Sequence, residues 1–289
     1  MQYYQLADGQ ESRLAVRGSS GFHDLTGAEP GLRTFDDLVR AADVAGQPLD
    51  DVAGARLSEA PELSAATVEE RARLPLDVDE VWAAGVTYRI SEQARESESA
   101  LPEIYMDVYD ADRPELFFKA TPERVVGPGE TIGIRGDSGW DVPEPELGLV
   151  LHRGELVGYT VGNDVSSRAI EGDNPLYLPQ AKVYERCCSL GPCVASPGSV
   201  ADPHDLEMSM RIVRDGEAVY DDRTSTSEMV RDCEELVSFY TRHNTVPELA
   251  VLLTGTSLVP EEGFTLKPDD VVHIDVDGVG TLSNPVSVV

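Results

Sequence analysis

From Glu80 to the C-terminus, short apolar stretches are separated every few residues by Gly, Pro, Asn or Asp. Examples are Val81–Val86, Leu116–Lys119, Leu147–His152, Leu156–Gly162, Met208–Val213, Leu249–Leu253, Val271–Val276 and Val286–Val289. These runs are too short for helices that bury one stripe. Several alternate apolar and polar residues with a period of two, as strands do. One helix interrupts the pattern over Ser227–Tyr240, with Met229, Cys233, Leu236 and Tyr240 on one face. Many strands and few helices predict a mainly β domain, closed on itself or sandwiched.

The first 75 residues have a different texture. Thr34–Val44 reads as a helix capped by Thr34, and Ser64–Leu74 as a second one. Ser64 or Thr67 would cap the second, with Glu69 and Glu70 in the capping-box region. The region is read as a smaller α+β N-terminal domain over residues 1–75, followed by a larger domain over 76–289. The seam falls at Pro75–Asp79.

Charge narrows the function. With 23 Lys and Arg against 53 Asp and Glu, the chain carries a net charge of −30. Nucleic acid and anionic membrane surfaces are excluded as partners, because both demand clustered cations. Lys is scarce, at Lys119, Lys182 and Lys267, and Arg supplies the remaining cations. An acidic, Lys-poor surface suits a salt-adapted cytoplasm. A Lys retained against that bias points to a need for its compact, titratable ammonium. The N-terminus lacks the basic and apolar regions of a signal peptide, and no apolar run is long enough to span a membrane. Cys187, Cys188, Cys193 and Cys233 miss the spacing of zinc pairs and read as reduced, buried thiols.

The chemistry concentrates between Trp140 and Val194. Glu144 and Glu146 flank the start of an apolar strand, and residues two apart on a strand share a face. The chain turns at His152–Glu155 and returns along Leu156–Gly162. Such a hairpin brings Asp164 back beside the two glutamates. Three carboxylates at one rim form a hard oxygen site for Mg²⁺, with Mn²⁺ or Ca²⁺ as alternatives. The competing reading is a solvated acidic edge. Lys182 lies in the same stretch, able to balance surplus negative charge or act as an acid or base. Gly127-Pro128-Gly129 reads as a turn. Asp269, Asp270, Asp275 and Asp277 read as the wet face of a strand.

The ordered series ELFFKATPERVVGPGETI, GYTVGNDVSSR, LPQAK, SLGPCV, LLTGTSLVP and NPV resembles the fumarylacetoacetate hydrolase superfamily from about Val81 to Val289. The resemblance implies a mixed β-roll, barrel-like core and a divalent metal held by Glu144, Glu146 and Asp164. It also implies an active-site Lys182, a substrate loop at Gly255 and Thr256, and a homo-oligomer of two or four chains. Hydrolytic members carry N-Y-x-x-H, whose His helps to activate water. Here the stretch is Thr87-Tyr88-Arg89-Ile90-Ser91, with Ser91 at the His position, and none of the five His residues lies in it. GVTY, YDADRPELFFKATP, WDVPEPELGLVL and IEGDNPLYLPQAK resemble instead the sugar-acid branch, which holds the 2-keto-3-deoxy-D-arabinonate and -xylonate dehydratases. The expected substrate is therefore a 2-keto-3-deoxy pentonate, lost as water plus 2,5-dioxopentanoate. Lys182 is the first acid/base candidate and Glu115 the second. Lys119, Arg89, Ser91, Arg168, Gln180 and Thr256 are candidate substrate contacts, and Tyr88 reads as packing. The alternatives are an acylpyruvate-type hydrolase or decarboxylase, and a non-catalytic 2-oxo acid binder.

Overall fold

Strand Pro145–His152 is buried at every position. Its alternating side chains feed two cores: Leu147, Leu149 and Leu151 enter one, Val150 the other. A strand covered on both faces must be apolar throughout, which explains the near-continuous run LGLVL. The computed structural model describes residues 1–88, 108–109, 111–261 and 263–289. Arg89 and Ser91 therefore lie outside the described residues.

The strands run in chain order as β1 (Gln2–Asp8), β2 (Glu11–Gly18), β3 (Gly21–Asp24), β4 (Glu62–Leu63), β5 (Glu80–Gly85), β6 (Glu115–Ala120), β7 (Val125–Val126), β8 (Ile132–Ile134) and β9 (Asp141–Val142). They continue as β10 (Pro145–His152), β11 (Glu155–Asp164), β12 (Ser166–Ser167), β13 (Cys188–Ala195), β14 (Glu207–Arg214), β15 (Glu217–Ser225), β16 (Leu249–Leu253), β17 (Val271–Val276) and β18 (Gly280–Val288). One large mixed sheet has the order β4-β3-β2-β1-β13-β11-β10-β16-β5-β6, with β7 beside β13. A five-stranded sheet has the order β15-β14-β17-β18-β8, and β9 pairs with β12. The expected strand-rich fold is present, as mixed sheets that do not close into a barrel among the described residues.

Among the described residues the helices are α1 (Leu25–Ala28), α2 (Phe35–Ala45), α3 (Leu49–Gly54), α4 (Ala65–Arg71), α5 (Arg168–Asp173), α6 (Leu178–Lys182) and α7 (Cys233–Thr241). Thr34 caps α2 in a capping box with Asp37, and Gly46 closes it in the left-handed conformation. Ser64 caps α4 as expected. The helix expected over Ser227–Tyr240 is shorter. Residues Thr226–Glu228 form a single 3-10 turn, Met229 and Asp232 are extended, and α7 starts only at Cys233. The N-terminal region combines strands with helices, as expected, and its strands join the large sheet where β1 pairs with β13.

One core lies between the large sheet and the five-stranded sheet, with Met208, Met210, Ile212, Val272, Ile274 and Leu282 facing β10 and β11. The other lies under α2, where Phe35, Leu38 and Val39 pack with Leu14, Val81 and Val251. All four cysteines are free and buried. Asp270 corrects the reading of a wet strand face: it is fully buried, and both its oxygens pair with Arg214 at 2.7 Å.

Asp36 gives this core a pH signature. It is 8% exposed, and burial outweighs the hydrogen bond from the Asp77 N–H, raising its pKa to about 6. In the unfolded chain it titrates near 3.9. A carboxyl raised on folding costs stability as pH climbs from about 4 to 6, and the full cost persists above that. Asp36→Asn keeps an acceptor for Asp77. It is expected to gain about 1–2 kcal/mol at pH 8 and almost nothing at pH 4, read by denaturant unfolding at the two values.

Candidate metal centre and active site

A two-residue turn builds the centre. Arg153 and Gly154 both have positive φ, the geometry of a tight hairpin whose twist matches its strands. The turn sets the register of β10 on β11, pairing Glu146 with Gly162. At the far end the Asp164 N–H donates to the Glu144 carbonyl at 2.9 Å. Glu144, Glu146 and Asp164 are thus delivered to one place, each with a carboxylate oxygen within 4.8 Å of the others. Their exposures are 7%, 1% and 0%, so the solvated-edge reading fails.

Two lysines hold this negative charge. The Lys182 ammonium, at the end of α6, donates to Glu144 Oε2 at 2.9 Å, Asp164 Oδ2 at 3.1 Å and Ser166 Oγ at 2.7 Å. Lys119 on β6 reaches Asp164 Oδ1 at 2.5 Å from the other side. Its remaining protons go to the carbonyls of Val165 and Lys182, at 2.9 and 2.5 Å. Arg168, at the start of α5, lies 3.1 Å from Glu144 Oε1. Burial opposes the charge on both lysines, yet the adjacent carboxylates prevail and raise their pKa values. Burial also works against Glu144, but Lys182 and Arg168 bring it down to about 2.

Glu146 is different. Burial, then Asp164 and Glu144, push its pKa well above the ordinary value, and Lys182 offsets this only in part. Its Oε2 accepts the Gly255 N–H at 2.6 Å. Glu144 and Asp164 are paired with Lys182, Lys119 and Arg168, whereas among the described residues no ion pair reaches Glu146. A divalent cation among three buried carboxylate oxygens would relieve it, and an oxygen-only donor set suits Mg²⁺. The residues fit the ion.

Gly255 is fixed by its surroundings. Its φ is +83°, and an added Cβ would stand 2.1 Å from Thr87 Oγ1 and 2.8 Å from the Ala84 carbonyl. Thr87 cannot yield easily, because its hydroxyl donates to the Thr254 carbonyl at 2.6 Å. Gly255→Ala is expected to cost about 2–4 kcal/mol, combining a left-handed backbone with overpacking. Shifting the loop moves the residue-255 N–H away from Glu146 and should also weaken Mg²⁺ binding, measurable by calorimetry beside a thermal melt.

A cleft opens over the centre. Glu115, Arg168, Lys182 and Thr256 line it together with the three carboxylates, so most of the expected residues converge. Lys119 does not line it; it is wholly buried behind Asp164. Gln180 is on the exposed side of α6, with its carbonyl bonded to Arg135. Tyr88 is buried, as packing requires. Three residues of the site went unread in the sequence: Ser166 bonds Lys182, Phe117 lies 5.3 Å under the same ammonium, and Glu171 lines the cleft beside Arg168. Only the proximity of Ser166 to Asp164 in NDVSSR could have signalled the first.

A mixed-sheet fold with a buried Glu-x-Glu and Asp cradle opening on a lysine defines a candidate divalent-metal centre. The chain is a member of the fumarylacetoacetate (FAA) hydrolase family, whose C-terminal domain model matches residues 80–287. It is 64% identical, over the full length of both chains, to a probable 2-keto-3-deoxyxylonate dehydratase of Haloferax volcanii. It is 42% identical, over 73% of each chain, to the 2-dehydro-3-deoxy-D-arabinonate dehydratase of Saccharolobus solfataricus. Its fold superposes with a TM-score of 0.86 on a solved 2-keto-3-deoxy-D-arabinonate dehydratase in complex with magnesium and 2,5-dioxopentanoate, at 32% identity. That match covers 100% of this chain and 99% of the other. Among the described residues, no helix is long and apolar enough to cross a membrane.

Proposed function

We propose that the protein dehydrates a 2-keto-3-deoxy pentonate, derived from arabinonate or xylonate, to 2,5-dioxopentanoate, with Mg²⁺ bound by Glu144, Glu146 and Asp164. The observation that carries this reading is the buried carboxylate cradle opening on the same cleft as Lys182 and Glu115. The relatives' names supply the substrate class. Mn²⁺ and Ca²⁺ are the alternatives the same oxygen ligands would accept.

When bound, the divalent ion supplies Lewis-acid polarisation of the 2-oxo group. Glu115 accepts the C3 proton. Lys182, held protonated by Asp164 and Glu144, donates to the departing C4 hydroxyl, which leaves as water. The C3=C4 unsaturated 5-hydroxy acid then tautomerises, moving a C5 proton to restore saturated carbons and leave the C5 aldehyde. Arg168 and Thr256 contact the substrate from the cleft wall. Lys119 acts from behind as a positioning residue for Asp164. Gln180, exposed on α6, joins only if the substrate reaches the rim. Arg89 and Ser91 complete the expected contacts. The same reading places the enzyme in a salt-rich cytoplasm, as a homo-oligomer, with residues 1–75 as an N-terminal domain on a 76–289 catalytic domain. The surface charge and the start of the family match at residue 80 support it.

The test is turnover of both pentonates in high salt with Mg²⁺, with the aldehyde followed through a coupled dehydrogenase. Product should appear with metal and vanish with chelator or in Lys182→Ala. Bound metal with no aldehyde would overturn the dehydratase and redirect the search to acylpyruvates.

A further inference from the structure

We infer that the end of α2 and the groove beside it form a two-fold interface with a second copy of this chain. The inference rests on the homo-oligomer of the reading above and deepens it by naming the surface. Val44, in the last turn of α2, is 89% exposed, more than any other large apolar side chain among the described residues. A bare valine is out of place on a chain with a net charge of −30. A groove of about 450 Å³ opens beside it, with Val39, Ala42 and Leu49 on the helical side and Leu156 and Val157 on the strand side. The groove lies at the turn end of the β10–β11 hairpin, where His152 lines it. Six residues of strand, about 20 Å, separate His152 from Glu146, so this surface is distinct from the catalytic cleft.

A knob and a hollow on one patch are what a two-fold axis needs. The same surface meets itself, and Val44 of each copy enters the groove of the other. The groove is larger than one valine, and the exposed Ala45 enters with it. The charges around the patch are self-complementary as well. Arg40 pairs with Glu248 at 2.7 Å and Arg153 with Asp43 at 3.2 Å, and both pairs are exposed enough to exchange partners at little cost. Glu155 is exposed on the groove wall, opposite His152 in the hairpin. Across the axis Arg153 of one copy can meet Glu155 of the other. A small molecule in the groove would leave Val44 in water, whereas a second copy covers the valine and fills the groove at once.

Equilibrium sedimentation of the full chain in high salt, where repulsion between acidic copies is screened, reads the assembly. The parent should be a dimer or a tetramer. Val44→Asp should raise the dissociation constant at least about a hundredfold, because each two-fold contact buries the valine twice. Its circular dichroism should match the parent's, since the side chain is bare in the single chain. Val44→Cys gives an independent reading, because the four native cysteines are buried. In the assembly the new thiol should react with a maleimide at least about tenfold more slowly than the same thiol in a short peptide of the α2 sequence. An assembly that Val44→Asp leaves intact, or a thiol at position 44 as reactive as in the peptide, overturns the inference and leaves the homo-oligomer standing. A parent that stays a single chain overturns both.

Discussion

Asp164→Asn should leave a folded protein that has lost Mg²⁺ binding and at least about 10³-fold in kcat/KM, because Lewis-acid stabilisation is worth several kcal/mol. The position is the hub of the centre. One oxygen meets Lys119 at 2.5 Å, the other meets Lys182 at 3.1 Å, and the backbone N–H ties the end of β11 to Glu144. Asparagine preserves shape and removes one charge. Lys182 keeps Glu144 at 2.9 Å, so the fold survives, but the cradle drops from three carboxylates to two. Calorimetric titration with Mg²⁺ and steady-state kinetics read the two losses together. Retained affinity within tenfold of the parent would show that the ion does not use Asp164.

Lys119→Met should produce the largest loss of stability, about 3–5 kcal/mol, without altering any cleft-lining side chain. The lysine is 0% exposed and has three acceptors, the Asp164 carboxylate and two carbonyls. Methionine has nearly the same length and none of the donors, so a carboxylate and two carbonyls lose their partner in a dry interior. Mg²⁺ should raise the stability of the variant without closing its gap to the parent, since a ligand that binds only the folded state adds about 2.7 kcal/mol to either at a hundred times its dissociation constant. Denaturant melts with and without saturating Mg²⁺ measure both quantities. A variant as stable as the parent would mean that Lys119 is not the partner of Asp164 in solution.

The centre was legible because its geometry is local. A spacing of two puts Glu144 and Glu146 on one face, and a hairpin closed at Arg153–Gly154 returns Asp164 to them. What depends on long-range packing was not legible. Lys119 and Lys182 are both scarce lysines near the same motif, and nothing in the sequence says that one faces the cleft and the other its back. Gln180 falls two residues before Lys182, yet about half a helix turn separates their directions, and Gln180 points to solvent. Glu171 looked like one more acid in a chain with 53 of them, until α5 placed it beside Arg168 over the cleft. Likewise β15 escaped notice because an exposed edge strand, EAVYDDRTS, has no apolar face to announce it.

The strand that carries Glu146 also separates the two cores, so ligand geometry and global packing rest on a single piece of backbone. Amides of β10 and β11 should exchange only through complete unfolding, while the loops and short helices above the cleft open far more often. Descendants of this chain can consequently vary the cleft wall at Val86 or Leu178 while the hairpin that carries Glu144, Glu146 and Asp164 stays as it is. The two halves of the enzyme, reagent and selector, are free to evolve at different speeds.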